Sequence, residues 1–206
     1  MTIYDLETRV EGHNNLVVQL ASVIAPLNLE VLFPAPQQLE VELGCGDASF
    51  LVEYARRHPD RNFIGVERLL GRLRKLDRKG CRAGLTNLRG VQIESSYFLQ
   101  YLLPRHSAAA LHIYFPDPWP KKKHRKNRLI NVSFPRLARA ALVPDGVVYL
   151  RTDDADYFAQ MTEVFGGSAE FRAAETPAGL ADLPTDFECE FHARGIRTLR
   201  AAYRVA

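Results

Sequence analysis

No two cysteines of this chain form a C-x-x-C pair, and the three present, Cys45, Cys81 and Cys189, are odd in number and far apart. That pattern argues against a disulfide scaffold and fits a reducing compartment, the cytoplasm. The six histidines share no metal-ligand spacing with one another or with the thiols, so no metal is expected. No apolar run reaches the roughly 20 residues that cross a bilayer, and residues 1–13 (MTIYDLETRVEGH) lack a basic-then-apolar leader. No membrane partner is therefore expected. Internal repeats and low-complexity tracts are absent, and tryptophan occurs once, at Trp119.

What is there suffices for one well-filled core: 206 residues, 47% of them hydrophobic. A single domain is expected over residues 1–206, with residues 1–35 as an N-terminal arm and helix and 36–206 as the main body. Monomer and homodimer both stay open.

The net charge of +3 conceals a strong segregation. Residues 121–128 hold six bases and no acid, and residues 68–82 hold seven bases and one acid, Asp77. Thirteen bases against one acid leave the remainder of the chain at −9. A basic face for a polyanion and an acidic remainder for something cationic are the implied pair.

Apolar periodicity alternates between strand and helix. Strands are expected at 38–43, 62–67, 87–93, 109–115, 146–152 and 169–175, and helices at 14–25, 48–58, 68–81, 96–103, 127–142 and 155–165. The alternation predicts an α/β, Rossmann-like, mostly parallel doubly wound sheet, with a final antiparallel edge strand after a turn or short helix. In such sheets ligands sit outside the carboxyl ends of the strands. Those ends carry Glu42, Glu67, Glu94, Asp117 and Asp153.

After the first strand comes ELGCGDAS, residues 42–49. Gly44 and Gly46 permit a tight turn and close backbone approach to a ligand. A dinucleotide fingerprint asks for a third glycine where Ser49 stands, and a pyrophosphate is poorly served by Glu42 and Asp47. Glu67 stands 21 residues after Gly46, where a carboxylate can accept both hydroxyls of a ribose. A phosphate-free cofactor with cationic sulfonium and amino groups, S-adenosylmethionine, suits these acids, and ELGCGDASF followed by GVER resembles the opening of Rossmann-like methyltransferases. Glu94 either reaches the adenine edge or caps the next helix, with Ser95 and Ser96 as competitors.

Residues 115–129, FPDPWPKKKHRKNRL, resemble the signature of the bacterial tRNA (guanine-N7-)-methyltransferase family. The resemblance runs from QLEVELGCG near residue 38 to TDFE at 185–188 and includes LVPDGVVYLRTDDADYF at 142–158. Pro116, Pro118 and Pro120 fix φ around Asp117 and stiffen the loop before substrate arrives. Trp119 is read either as a stacking face or as a core residue. Guanine N7 has a free lone pair and no proton to lose, so methylation there requires alignment rather than a general base.

The resemblance implies methyl transfer from S-adenosylmethionine to N7 of a guanine in tRNA, guanosine 46 of the variable loop. It implies Asp117 as the catalytic residue, also lining the cofactor site with Glu42, Gly44, Gly46, Glu67 and Glu94. Substrate contacts fall to Lys121, Asp153, Thr185, Asp186, Phe187 and Glu188. Lys122, Lys123, Arg125, Lys126 and Arg128 then neutralise tRNA phosphates. Where the family continues with Arg-Gly after its T-x-F-E motif, this chain has Cys189, Glu190 and Phe191. The alternatives are a methyltransferase for another RNA or an amino nitrogen, or a silent RNA-binding homologue.

Overall fold

The structure, a computed structural model, describes residues 15–206. Seven strands form one sheet: β1 (Gln38–Leu43), β2 (Arg61–Glu67), β3 (Leu88–Gln92), β4 (Ala108–Tyr114), β5 (Leu142–Thr152), β6 (Phe171–Ala174) and β7 (Leu199–Val205). Their spatial order is β3-β2-β1-β4-β5-β7-β6. β1 to β5 pair in parallel, while β7 runs antiparallel to both β5 and β6. The fold class is the expected one, with one correction: the antiparallel strand is not at the edge. β7 buries Ala202, Tyr203 and Val205 and takes an interior position, whereas β6, four residues long and largely exposed, is the edge. A short edge strand offers little unpaired backbone to other chains.

The helices are α1 (Leu29–Leu32), α2 (Ser49–Arg57), α3 (Leu70–Arg82), α4 (Ser95–Tyr97, continued by a π-helical turn, Phe98–Leu102), α5 (Phe134–Ala141), α6 (Ala155–Gly166), α7 (Ala178–Ala181) and α8 (Asp186–Ala193). Alternation along QLEVEL sends Leu39, Val41 and Leu43 into a core with Phe98, Phe134, Met161 and Phe165. On the other face Leu51 and Tyr54 of α2 and Leu73 and Leu76 of α3 pack with Phe63. Gly65 permits that closeness: a Cβ there would meet Leu76 Cδ1 at 2.7 Å and Leu51 Cδ2 at 2.8 Å. Glu40 and Glu42 lie at the intervening positions of β1. Strand order reverses between β1 and β4, which opens a crevice at their carboxyl ends.

Three local expectations are corrected. Residue 14 lies outside the described residues, but 15–25 form no helix; Val18 N–H donates to Gly90 O and Gly90 N–H to Leu16 O, both at 2.8 Å, so the segment lines the outer edge of β3. Asp77 accepts from Leu16 N–H at 2.7 Å and fixes its register. The helix expected over 127–142 is confined to α5, which starts where Pro135 suits a first turn; residues 122–127 are a 3-10 turn instead. The expected helix over 96–103 is one α turn followed by the π-helical turn.

Candidate active site

Gly44 at φ +77° and Gly46 at φ +56° adopt the left-handed conformation their turn requires. The amides of Gly44 and Cys45 donate to Val66 O at 2.8 and 3.0 Å, folding the turn onto the end of β2. Glu67, 6% exposed, completes the join: its Oε2 accepts from Gly46 N–H at 3.1 Å and its Oε1 from Leu69 N–H at 2.8 Å. At Gly44 and Gly46 nothing lies within 4 Å of where a Cβ would sit, so the turn is open to a ligand.

Glu42 is 4% exposed and its Oε2 has no hydrogen-bond partner among the described residues. Burial pushes its carboxyl well above the ordinary 4.5, with Arg151 opposing the rise and Asp47 and Glu67 adding to it. An orphaned buried acceptor of this kind costs about 1–3 kcal/mol. A cationic or N–H-bearing ligand would relieve that cost, and the donor set around the turn, carboxylates and open glycine backbone, fits S-adenosylmethionine. Lys79 does not neutralise Glu42; its Nζ is held by Asp47 Oδ2 at 2.9 Å and Ser49 Oγ at 2.6 Å.

The loop after β4 is held in an unusual shape. Phe115 at φ +49° and Trp119 at φ +44° are bulky residues in the left-handed region, a conformation that costs of order 1–3 kcal/mol each. Phe115 N–H donates to Arg151 O at 2.8 Å, and Arg128 Nε donates to Pro118 O at 2.7 Å. Asp117 projects from this braced loop exposed, with no hydrogen bond or ion pair among the described residues. Trp119 is 37% exposed, not a core residue, with its ring 5.9 Å from that of His124.

Lys121, Lys122, Lys123 and Lys126 are exposed, and Arg125 pairs with Asp156 at 2.9 Å. Arg128 departs from its expected role. It is 2% exposed, bonded to Asp156 at 2.6 Å and Gln160 at 2.7 Å, and lies 4.7 Å over the Tyr157 ring. It braces the loop from inside and is not a phosphate contact.

Thr185 and Glu188 are corrected in the same way. Thr185 Oγ1 accepts from Glu188 N–H and Glu188 Oε2 accepts from Thr185 N–H, a capping box that starts α8. Glu188, fully buried, also pairs with Arg151 at 2.6 Å and Arg200 at 2.8 Å. Their neighbours face outward: Asp186 accepts from Ser49 Oγ at 2.5 Å, and Phe187, 49% exposed, shares an aromatic cluster with Phe115 and Phe191 at 5.6–6.2 Å. The structure thus joins the start of α8 to both the glycine turn and the root of the Asp117 loop. Asp153 is exposed at the end of β5. Glu94, exposed, takes the capping alternative, accepting from Ser96 N–H at 2.9 Å and Tyr97 N–H at 2.8 Å.

Two buried features were not anticipated. Arg151, 2% exposed, stands 4.3 Å over the Tyr114 ring and links β5 to α8. His112, fully buried, joins Glu40 at 2.7 Å and the Tyr114 hydroxyl at 2.8 Å, with Arg61 on the other Glu40 oxygen at 2.6 Å. Burial pushes the Glu40 carboxyl up, but His112 and Arg61 outweigh it and hold it below the usual range. The available signal was a polar letter set among apolar ones, the Arg of YLRT and the His of ALHIYF.

This sheet order, with one antiparallel strand and a glycine turn after β1, defines a class I methyltransferase fold. Solved structures share it: the 16S rRNA methyltransferase KamB aligns with a TM-score of 0.65 at 17% identity, covering 93% of this chain and 99% of that one. TrmN from Thermus thermophilus aligns at 0.60 and 14% identity, covering 83% and 45%. A family model described as "Putative methyltransferase" matches residues 36–205. The tRNA (guanine-N(7)-)-methyltransferase of Chromohalobacter salexigens is 36% identical over 173 residues, 82% of this chain and 70% of that protein. Its counterpart in Thermotoga maritima is 32% identical over 174 residues, 84% of this chain and 56% of that protein. The chain belongs to the tRNA (guanine-N(7)-)-methyltransferase family.

Proposed function

We propose that this protein transfers a methyl group from S-adenosylmethionine to N7 of a guanine in tRNA, with guanosine 46 of the variable loop as the target. The observation that carries the reading is the buried, unpartnered Glu42 oxygen beside an open glycine turn. When bound, S-adenosylmethionine supplies an electrophilic methyl group on a sulfonium. Glu42 receives the cationic end of the donor, and Glu67 the ribose hydroxyls through lone pairs its two amide bonds leave free. Asp117 accepts from guanine N1–H and the exocyclic amine, which orients N7. Asp153, Asp186, Phe187 and Lys121 contact the substrate around it. N7 uses its own lone pair, so no side chain removes a proton, and the charge that passes to the guanine ring develops near carboxylates. Lys122, Lys123, Arg125 and Lys126 hold backbone phosphates.

The test is nucleoside analysis of unmodified tRNA after incubation with the protein and labelled donor. 7-Methylguanosine supports the reading; label in another nucleoside, or none, rejects it.

Glu42→Gln separates binding from stability. The raised carboxyl pKa means that the folded state holds a proton that the unfolded state has released near neutrality. Stability therefore falls as pH rises from about 4.5 towards the folded value, and is flat above it. Glutamine mimics the protonated form. The variant is expected to melt higher than wild type at neutral pH without donor, yet lose the donor-induced rise in Tm, both read by thermal denaturation.

Lys122→Ala/Lys123→Ala is expected to weaken binding to every tRNA alike. It reduces the slope of log affinity against log salt by about 2, one for each phosphate left without its lysine. A sequence-dependent loss would assign these lysines to base contacts instead.

A further inference from the structure

On the sheet face that carries α5 and α6, away from the glycine turn, a groove of 690 Å³ runs between the π-helical turn and α5. Its volume is that of a ligand-sized cleft. Three arginines line it: Arg105 from the loop before β4, and Arg136 and Arg139 from α5. Glu170 is the one carboxylate among the lining residues, and Leu99, Leu103 and Leu137 supply apolar surface between the charges.

Four arginines that brace the fold are paired. Arg61, Arg128, Arg151 and Arg200 are each tied to a carboxylate at 2.6–2.8 Å. Arg105, Arg136 and Arg139 have no ion pair among the described residues. Arg139 meets only neutral or like-natured neighbours, Leu142 O at 3.4 Å and His106 Nδ1 at 3.3 Å. Three unpaired guanidiniums around one cleft repel one another, and an anion relieves that repulsion. The guanidinium fork matches phosphate in particular.

Position narrows the anion further. Ser133, also lining the groove, comes five residues after Arg128, the last base of the cationic loop beside Asp117. Arg136 and Arg139 stand three apart on α5, on one flank of the helix. Arg105, Arg136 and Arg139 therefore form a second cluster of unpaired positive charge, at the loop before β4 and on α5, separated from the exposed lysines of the active-site rim by residues 127–135, whose one base, Arg128, is buried and paired. A phosphodiester chain is an anion extended enough to meet both clusters.

We infer that the groove between the π-helical turn and α5 binds phosphates of the tRNA outside the target loop, as a second cluster beside the one at Lys121 to Lys126. The inference rests on the tRNA reading above and adds a second stretch of contact to it. Such a contact contributes affinity and orientation for whole tRNA without touching the reacting base.

The test compares two RNAs, whole unmodified tRNA and a short hairpin containing only the target loop and its stem, by equilibrium binding over a salt series. For Arg136→Gln/Arg139→Gln the expected result is about tenfold weaker binding of whole tRNA and a salt slope shallower by about 2. Hairpin affinity stays within twofold of wild type. An unchanged donor-induced Tm rise shows that the variant is folded. Unaltered affinity and slope for whole tRNA overturn the inference, as does an equal loss for both RNAs, which would place the arginines at the target loop. Wild-type protein that binds tRNA but forms no 7-methylguanosine defeats the functional reading and leaves the binding comparison standing, so the two failures are distinguishable.

Discussion

Asp117→Ala is expected to lower methyl transfer to tRNA by about 10²–10³-fold while tRNA affinity stays within a factor of two or three. The magnitude follows from removing a preorganised charged acceptor at a reacting group. Asp117 is well placed for that role because no described residue competes for it: the carboxylate is exposed and makes no hydrogen bond or ion pair among them. Its loop is already stiff, with three prolines in six residues and Arg128 fastened to Pro118 O from within. Little ordering remains when guanine arrives. Affinity for tRNA, by contrast, is spread over the lysines that follow. Asp117→Asn keeps one acceptor but donates from its amide, and is expected to fall between wild type and alanine. Single-turnover methylation with saturating tRNA and filter binding separate the two quantities. A variant that methylates at the wild-type rate would remove Asp117 from the site.

Glu188→Ala is expected to produce the largest loss of stability of any single change considered, about 3–5 kcal/mol. Removing one partner of a buried ion pair strands the other charge, and Arg151 is 2% exposed. For a chain of this size each kcal/mol moves Tm by about 2–4 °C, so a fall of roughly 6–20 °C follows. The Glu188 half of the capping box, its bond from Thr185 N–H, is lost with the same side chain, which weakens the start of α8 beside Phe187. Burial raises the Glu188 carboxyl, but the Thr185 amide, Arg151 and Arg200 outweigh it and hold it below the ordinary 4.5. This contribution is therefore complete above the ordinary value and lost as pH falls through the folded one. Wild type and variant should converge in stability on acidification, as read by urea denaturation at stepped pH. A constant gap between them would mean that the carboxylate's charge is not what holds Arg151.

The elements legible in the sequence were those set by local pattern. The alternation in QLEVEL, the glycines of GCG and the prolines around Asp117 each constrain the backbone at short range, and the structure follows them. What stayed illegible depended on distant partners. Arg128 and Lys126 are equivalent letters in one basic run. Asp156 and Gln160, on α6 about thirty residues later, draw Arg128 inside and leave Lys126 in water. TDFE reads equally as a substrate motif and as a capping box, and the structure divides it, with Thr185 and Glu188 building the helix and Asp186 and Phe187 facing out. The apolar letters at 14–25 suit a helix until Gly90 and Asp77 offer their backbone and carboxylate partners.

The interior placement of β7 has a consequence for how the chain is made. β1 to β5 need only residues up to Thr152 to pair with one another, so this parallel half can assemble while the rest is still being synthesised. β6 is different, because its ladder partner is β7 alone, which leaves the ribosome about thirty residues later. Until Leu199–Val205 slides in beside β5, β6 has no strand to join, and Arg200 has not reached Glu188. Nascent protein passes through an interval with an open sheet margin, and that interval is when it is most exposed to chaperones and proteases.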